Sequence, residues 1–93
     1  MLLARYRQQP GEKRKRGIDY ADFLEPSEVV STATCAVSPP DMTVTIVIDP
    51  AGKKFAFWAE GGVDGTTYQL TFTVNTNGQQ RREDEVEIDV EEI

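Results

Sequence analysis

The stretch "GGVDGTTYQLTFTV", residues 61 to 74, decides how this chain folds. Its second half alternates without a break: Tyr68, Leu70, Phe72 and Val74 are apolar, while Gln69, Thr71 and Thr73 are polar. Period-two alternation puts one face of an extended chain in a core and the other in water, so this is a half-buried β-strand. The glycine-rich first half has two readings. A phosphate cradle needs a Walker or dinucleotide fingerprint and a following helix N-terminus; neither pattern is present, and a strand follows Gly65. The alternative is a corner. In Greek-key sandwiches a tyrosine near the start of the penultimate strand hydrogen-bonds through its hydroxyl to backbone a few residues upstream and pins the crossover between sheets. On this reading Gly61, Gly62 and Gly65 supply the turn and Tyr68 the pin; otherwise Tyr68 is an ordinary buried tyrosine.

Working outward, the same alternation recurs on both sides. "NTNG" closes a hairpin with an Asn-Gly pair, which adopts positive φ at little cost, and the return strand places Val86, Ile88 and Val90 inward. "FAFWAE" puts Phe55, Phe57 and Ala59 on one face and Ala56 and Trp58 on the other. "MTVTIVI" turns Met42, Val44, Ile46 and Ile48 inward, and "VVSTATCAV" shares a face among Val29, Ala33, Cys35 and Val37. Between them, "SPPD" removes consecutive N–H donors and "DPAGKK" carries Asp, Pro and Gly where a turn uses them. Five or six strands at turn spacings of about 8 to 12 residues, with no helical periodicity, give an all-β chain. The fold class expected is an immunoglobulin-like or fibronectin-like β-sandwich, with a small barrel as the competing geometry.

Residues 1 to 17, "MLLARYRQQPGEKRKRG", combine a Pro-Gly turn signal with a basic run and read as an irregular basic N-terminal arm, leaving residues 18 to 93 for the sandwich domain. On this reading residues 1 to 16 serve assembly and not folding. "IDYADFLEPSE" follows as a short extended segment and bend, laying Ile18, Tyr20, Phe23 and Leu24 against the sandwich.

A chain of 93 residues is one domain at most, burying about 60 to 65% of the surface its unfolded form exposes. An enclosed active-site cavity is hard to build at that size. Cys35 is the single cysteine and histidine is absent, which removes an intrachain disulfide, imidazole acid–base chemistry and the usual zinc ligands. No apolar run approaches a signal-peptide core or the about 20 residues of a membrane span. A soluble protein made without export, with no cofactor and no metal, is therefore expected.

Charge is segregated. Six of the ten basic residues (Arg5, Arg7, Lys13, Arg14, Lys15, Arg16) lie in the first sixteen positions, and seven acids lie between Glu83 and Glu92. The acids could supply oxygen ligands to calcium, but no EF-hand loop is present, and Glu85, Glu87, Asp89 and Glu91 recur on alternate positions as a solvated face or edge does. The basic cluster could neutralise phosphates, yet apart from Tyr6 it lacks stacking aromatics and the net charge is -6, so nucleic acid is disfavoured. A basic arm gripping an acidic neighbour, including the acidic strand of another copy, suits the pattern better. Cys35, on an apolar face with no base available, reads as a small core residue. Trp58, if exposed, marks a contact surface. Candidate partner-binding residues are thus Arg5, Arg7, Lys13, Arg14, Lys15, Arg16, Trp58, Glu85, Glu87 and Asp89.

The order of these elements resembles a group of short proteins of tailed bacteriophages described as fibre-tail adaptor or minor virion proteins. The residues carrying the resemblance are Ile18, Asp19, Tyr20, Asp22, Phe23 and Leu24, then the Ser/Ala/Thr strand, then Trp58, Gly61, Gly62, Gly65 and Tyr68 before the final hairpin. Cys35 stands where an aromatic is expected, and the last strand is more acidic than the pattern. The resemblance implies a non-enzymatic virion component, present in several copies, that bridges a tail or neck protein to a fibre, located in the virion and in the host cytoplasm during assembly. Capsid cement or decoration protein is the rival role within a particle, and a free-standing binding module for nucleic acid or carbohydrate the rival outside one.

Overall fold

The computed structural model describes residues 1–92. Among them the chain forms seven strands: β1 (Leu2–Gln8), β2 (Lys13–Asp19), β3 (Val30–Ser38), β4 (Met42–Ile48), β5 (Lys54–Gly61), β6 (Thr66–Thr76) and β7 (Arg81–Val90). They make two sheets, a four-stranded one in the order β1-β7-β6-β3 and a three-stranded one in the order β2-β5-β4. All pairings are antiparallel except that of β1 with β7. The architecture is an all-β sandwich, and its strand order is consistent with the immunoglobulin type.

The alternating segments meet in the core as the pattern requires. Phe55, Phe57 and Ala59 of β5 face Tyr68, Leu70, Phe72 and Val74 of β6 and Val86, Ile88 and Val90 of β7, all buried. The ring of Phe72 lies 4.8 Å from that of Phe57 and 5.4 Å from that of Phe55, tilted in both cases, the offset geometry that aromatic quadrupoles favour. Each buried phenylalanine contributes about 1.5 to 3 kcal/mol by leaving water, which makes this cluster the main source of stability. Tyr20 extends it at 5.8 Å from Phe55, because the segment after β2 folds back in a turn in which Phe23 N and Leu24 N both donate to the Tyr20 carbonyl.

Residues 1 to 17, read from the sequence as an irregular arm, are instead two strands, one in each sheet. Ala4, Tyr6 and Gln8 of β1 point inward, with Gln8 fully buried. Its side-chain amide donates to the carbonyls of Glu12 and Ala59, both at 3.0 Å, and its oxygen accepts from Arg16 Nη1 at 2.8 Å. These bonds tie the first strand to the opposite sheet, so this part of the chain belongs to the sandwich core.

Two smaller differences have local causes. A register shift between Val30 and Thr32 against β6 changes the phase of β3 at its start, so the valine that enters the core is Val30, 4% exposed, and not Val29. In the β6–β7 hairpin the positive φ falls on Gln79 (64°) instead of on the Asn-Gly pair, because Thr76 receives the Gln79 N–H and donates its own to Gln80 O.

Candidate functional site

The loop between β5 and β6 carries the chain from the three-stranded to the four-stranded sheet. Val63 N–H donates to the Tyr68 hydroxyl at 2.8 Å, a bond from the side chain on β6 back to the middle of the crossover. Gly65 N–H donates to Val90 O at 2.7 Å and Glu92 N–H to Asp64 Oδ1 at 3.0 Å, which hold the loop to the end of β7. Gly61, Gly62 and Gly65 all have positive φ. Gly62 is also enclosed: a Cβ there would lie 2.9 Å from Val90 and 3.0 Å from the Tyr68 ring. Burial first, and then the nearby Asp41 carboxylate, raise the Tyr68 pKa, so the hydroxyl keeps its proton.

The basic residues do not form one patch. Arg5 and Arg7 project from β1 onto the outer face of the four-stranded sheet, where Arg5 Nε lies 3.0 Å from Glu87 and Arg7 Nε 3.4 Å from Glu91. The acidic strand lies between β1 and β6, so it is interior to the sheet and not an edge. On its outer face Glu85 stands opposite Thr71, and Asp89 accepts from the Thr67 hydroxyl at 2.7 Å. The first part of the basic run thus meets the acidic strand of its own chain. These exposed pairs contribute about 0 to 1 kcal/mol each, so they fix register more than stability.

Lys13 and Lys15 lie on the outer face of the other sheet. Lys15 Nζ sits 5.2 Å from the centre of the Trp58 ring, and the register places Lys15, Trp58 and Thr45 side by side across the three strands. Trp58 is half-buried on this outer face. Arg14 reaches Glu12 at 3.6 Å, while Arg16 turns inward over the Tyr6 ring at 4.3 Å. Burial, followed by the like charge of Arg14, lowers the Arg16 pKa. A concavity of about 510 Å³ opens on the same outer face beside Trp58, shallow and continuous with solvent.

Sequence reasoning passed over three buried polar residues. Asp84 is 1% exposed; it accepts from the Tyr20 hydroxyl at 2.9 Å and from Arg82 Nε at 3.0 Å. Burial and then that hydrogen bond push the Tyr20 hydroxyl well above its ordinary range. Glu28 accepts from the Thr76 hydroxyl, the Gln80 amide and Glu25 N–H, clamping the hairpin to the segment before β3; the Thr76 bond leads in lowering its pKa. Gln8 is the third. Asp84 had a signal: it continues the inward phase of Val86, Ile88 and Val90. Every buried side-chain polar atom among the described residues has a partner, which leaves these groups as structural cement. No group of three or more Asp, Glu, Cys or His side chains among the described residues is placed to hold a metal ion.

Two sheets packed face to face, satisfied internal polar groups and an open concavity on one sheet face define the class of small all-β sandwich proteins. The chain belongs to the family described as podophage GP4 fiber-tail adaptor protein gp77, whose model matches residues 8–90. That family is one of phage structural adaptors, the type the sequence resembles. No curated protein matches the chain.

Proposed function

We infer that this protein is a non-enzymatic adaptor of a tailed-phage particle, linking a tail or neck protein to a fibre through protein–protein contacts and present there in several copies. The observation that carries the reading is the family match over residues 8–90, nearly the whole sandwich. The geometry supports it. Inner faces are filled by side chains, and the charged and aromatic residues that remain for recognition are spread over the two outer faces. An adaptor in contact with two partners at once needs two such faces on one rigid body. Of the candidate residues, Lys13, Lys15 and Trp58 present one face, and Glu85, Glu87 and Asp89 with Arg5 and Arg7 the other.

The test is the position of the chain in an assembled particle, by cryo-electron microscopy with cross-linking to identify neighbours. The sandwich is expected between tail or neck and fibre, with cross-links from both sheets to different proteins. Density on the capsid shell, or a chain absent from the particle, would refute the adaptor role in favour of cement or a free-standing module.

A further inference from the structure

Gly17 has no internal reason to be glycine. It lies inside β2, a strand paired on one side only, with β5, and a Cβ there would meet nothing closer than the Phe55 carbonyl oxygen at 3.5 Å, an ordinary contact. Its φ is not positive. Glycine inside a strand weakens it, and where neither turn nor crowding calls for it, it marks close approach by a ligand or another backbone. The register shows what the missing side chain opens: Gly17, Ala56 and Val47 stand in one row across the three strands, two small residues and then a valine 52% exposed. The neighbouring row is Lys15, Trp58 and Thr45. The low row floors the concavity beside Trp58, and it opens at the free edge of β2.

The charge around this trough is positive. The concavity itself is lined by Lys15, Arg16 and Lys54 against the one acid Asp49, and β2 carries Lys13, Arg14, Lys15 and Arg16 in succession. Lys13 stands beside Glu60 and Lys54 beside Asp19, yet Lys13, Lys15 and Lys54 make no ion pair among the described residues. Asp19 and Asp49 each accept one N–H of their own turn, at 2.8 Å from Ala21 N and 3.0 Å from Ala51 N, which holds their side chains in place and leaves the cations of β2 in excess. Lysines along an edge deter pairing with basic or neutral strands. They do the reverse for an acidic one.

We propose that the free edge of β2 takes an acidic, extended segment of a partner protein by strand addition, with one large apolar side chain of that segment laid over Gly17 in the trough beside Trp58. Main-chain bonds to the open side of β2 give affinity, the lysines select for carboxylates, and the apolar side chain covers the edge glycine as aromatic residues do in paired strands. This deepens the adaptor reading and rests on it for the kind of partner.

Trp58 is the only tryptophan, so its fluorescence reports the site directly. The probe is a short peptide alternating glutamate and valine around one central phenylalanine, titrated into the full chain at low salt. A saturable change in emission is expected, weakening by about tenfold or more with alanine in place of the phenylalanine, in Gly17→Val, and in Lys13→Glu/Lys15→Glu. A thermal melt confirms that Gly17→Val is folded, and if it is not, the exposed lysine pair decides. No saturable change, or unchanged binding by the variants, overturns the proposal. If the peptide fails while the chain still enters a tail–fibre assembly, strand addition at β2 alone is wrong; if the chain enters no such assembly, the adaptor reading falls.

Discussion

Replacing Gly62 by alanine separates two effects that usually come together at a glycine turn. At φ 102° a residue with a Cβ is strained by about 1 to 3 kcal/mol. The new methyl would also lie 2.9 Å from Val90 Cγ2, 3.0 Å from Tyr68 Cε2 and 3.2 Å from Met42 Cε, and overpacking of this kind costs about another 1 to 3 kcal/mol. Gly65, in the same loop at φ 83°, has nothing within 4 Å of a built Cβ, so Gly65→Ala carries backbone strain alone, about 1 to 2 kcal/mol. A chain of this length has a total stability of about 5 to 14 kcal/mol, of which Gly62→Ala removes a large part. With about 4 to 8 °C of melting temperature per kcal/mol, central values give losses of about 25 °C for Gly62→Ala and about 10 °C for Gly65→Ala. Calorimetry or circular dichroism on the two variants measures the gap. Removing Val90 Cγ2 with Val90→Ala should then cost less in the Gly62→Ala background than alone, a coupling a double-mutant cycle reads. Equal melting temperatures for the two glycine variants, or strict additivity with Val90→Ala, would refute the packing argument.

Further expectations follow from the other buried groups. Tyr68→Phe leaves Val63 N–H without its partner and lowers the melting temperature while the fold is kept; no change would mean that the hydroxyl bond is idle. Asp84→Ala leaves the buried Tyr20 hydroxyl unpaired and costs about 1 to 3 kcal/mol by urea unfolding, most of which disappears in a Tyr20→Phe background. Deleting residues 1 to 8 removes β1 and opens the side of β7, so the truncated chain is expected to unfold or aggregate, and a folded monomer by circular dichroism and light scattering would refute the placement of that strand. Burial pushes the Cys35 thiol up to about 11 from an ordinary 9.0, so the native state holds this proton longer than the unfolded one. Its contribution to stability is complete below about pH 9 and lost as pH rises through about 11; a Cys35→Ala variant lacking that loss checks it, and native Cys35 should react slowly with thiol reagents at pH 8.

The sequence shows its fold where inward positions are apolar and hides it where they are not. Tyr68, Leu70, Phe72 and Val74 announce β6 because each sits at the centre of the core, and Phe55, Phe57, Val86, Ile88 and Val90 do the same for their strands. In β1 and β2 the inward positions include Gln8 and Arg16, which bond to each other, so hydrophobic alternation fails although the strands are regular. What remained in β1 was a pattern of charge: Arg5 and Arg7 alternate with Ala4, Tyr6 and Gln8. Asp84 was concealed in the opposite way, as one acid among seven, although the inward positions that follow it on β7, Val86, Ile88 and Val90, are all aliphatic. The corner could be read because Tyr68 and its glycines act within a few residues of one another. How the basic residues divide between two outer faces could not, since that depends on β1 and β2 entering different sheets.

The parallel pairing of β1 with β7 also governs how the sandwich bears load. Leu2 lies beside Glu85 and Gln8 beside Val90, so the leading end of β1 and the trailing end of β7 are at opposite ends of the pair. Tension between those two points slides one strand along the other and strains every cross-strand bond together, whereas an antiparallel hairpin held at its open end parts one bond at a time. Pulled along that axis, the domain yields by collective shear, the stiffer of the two modes.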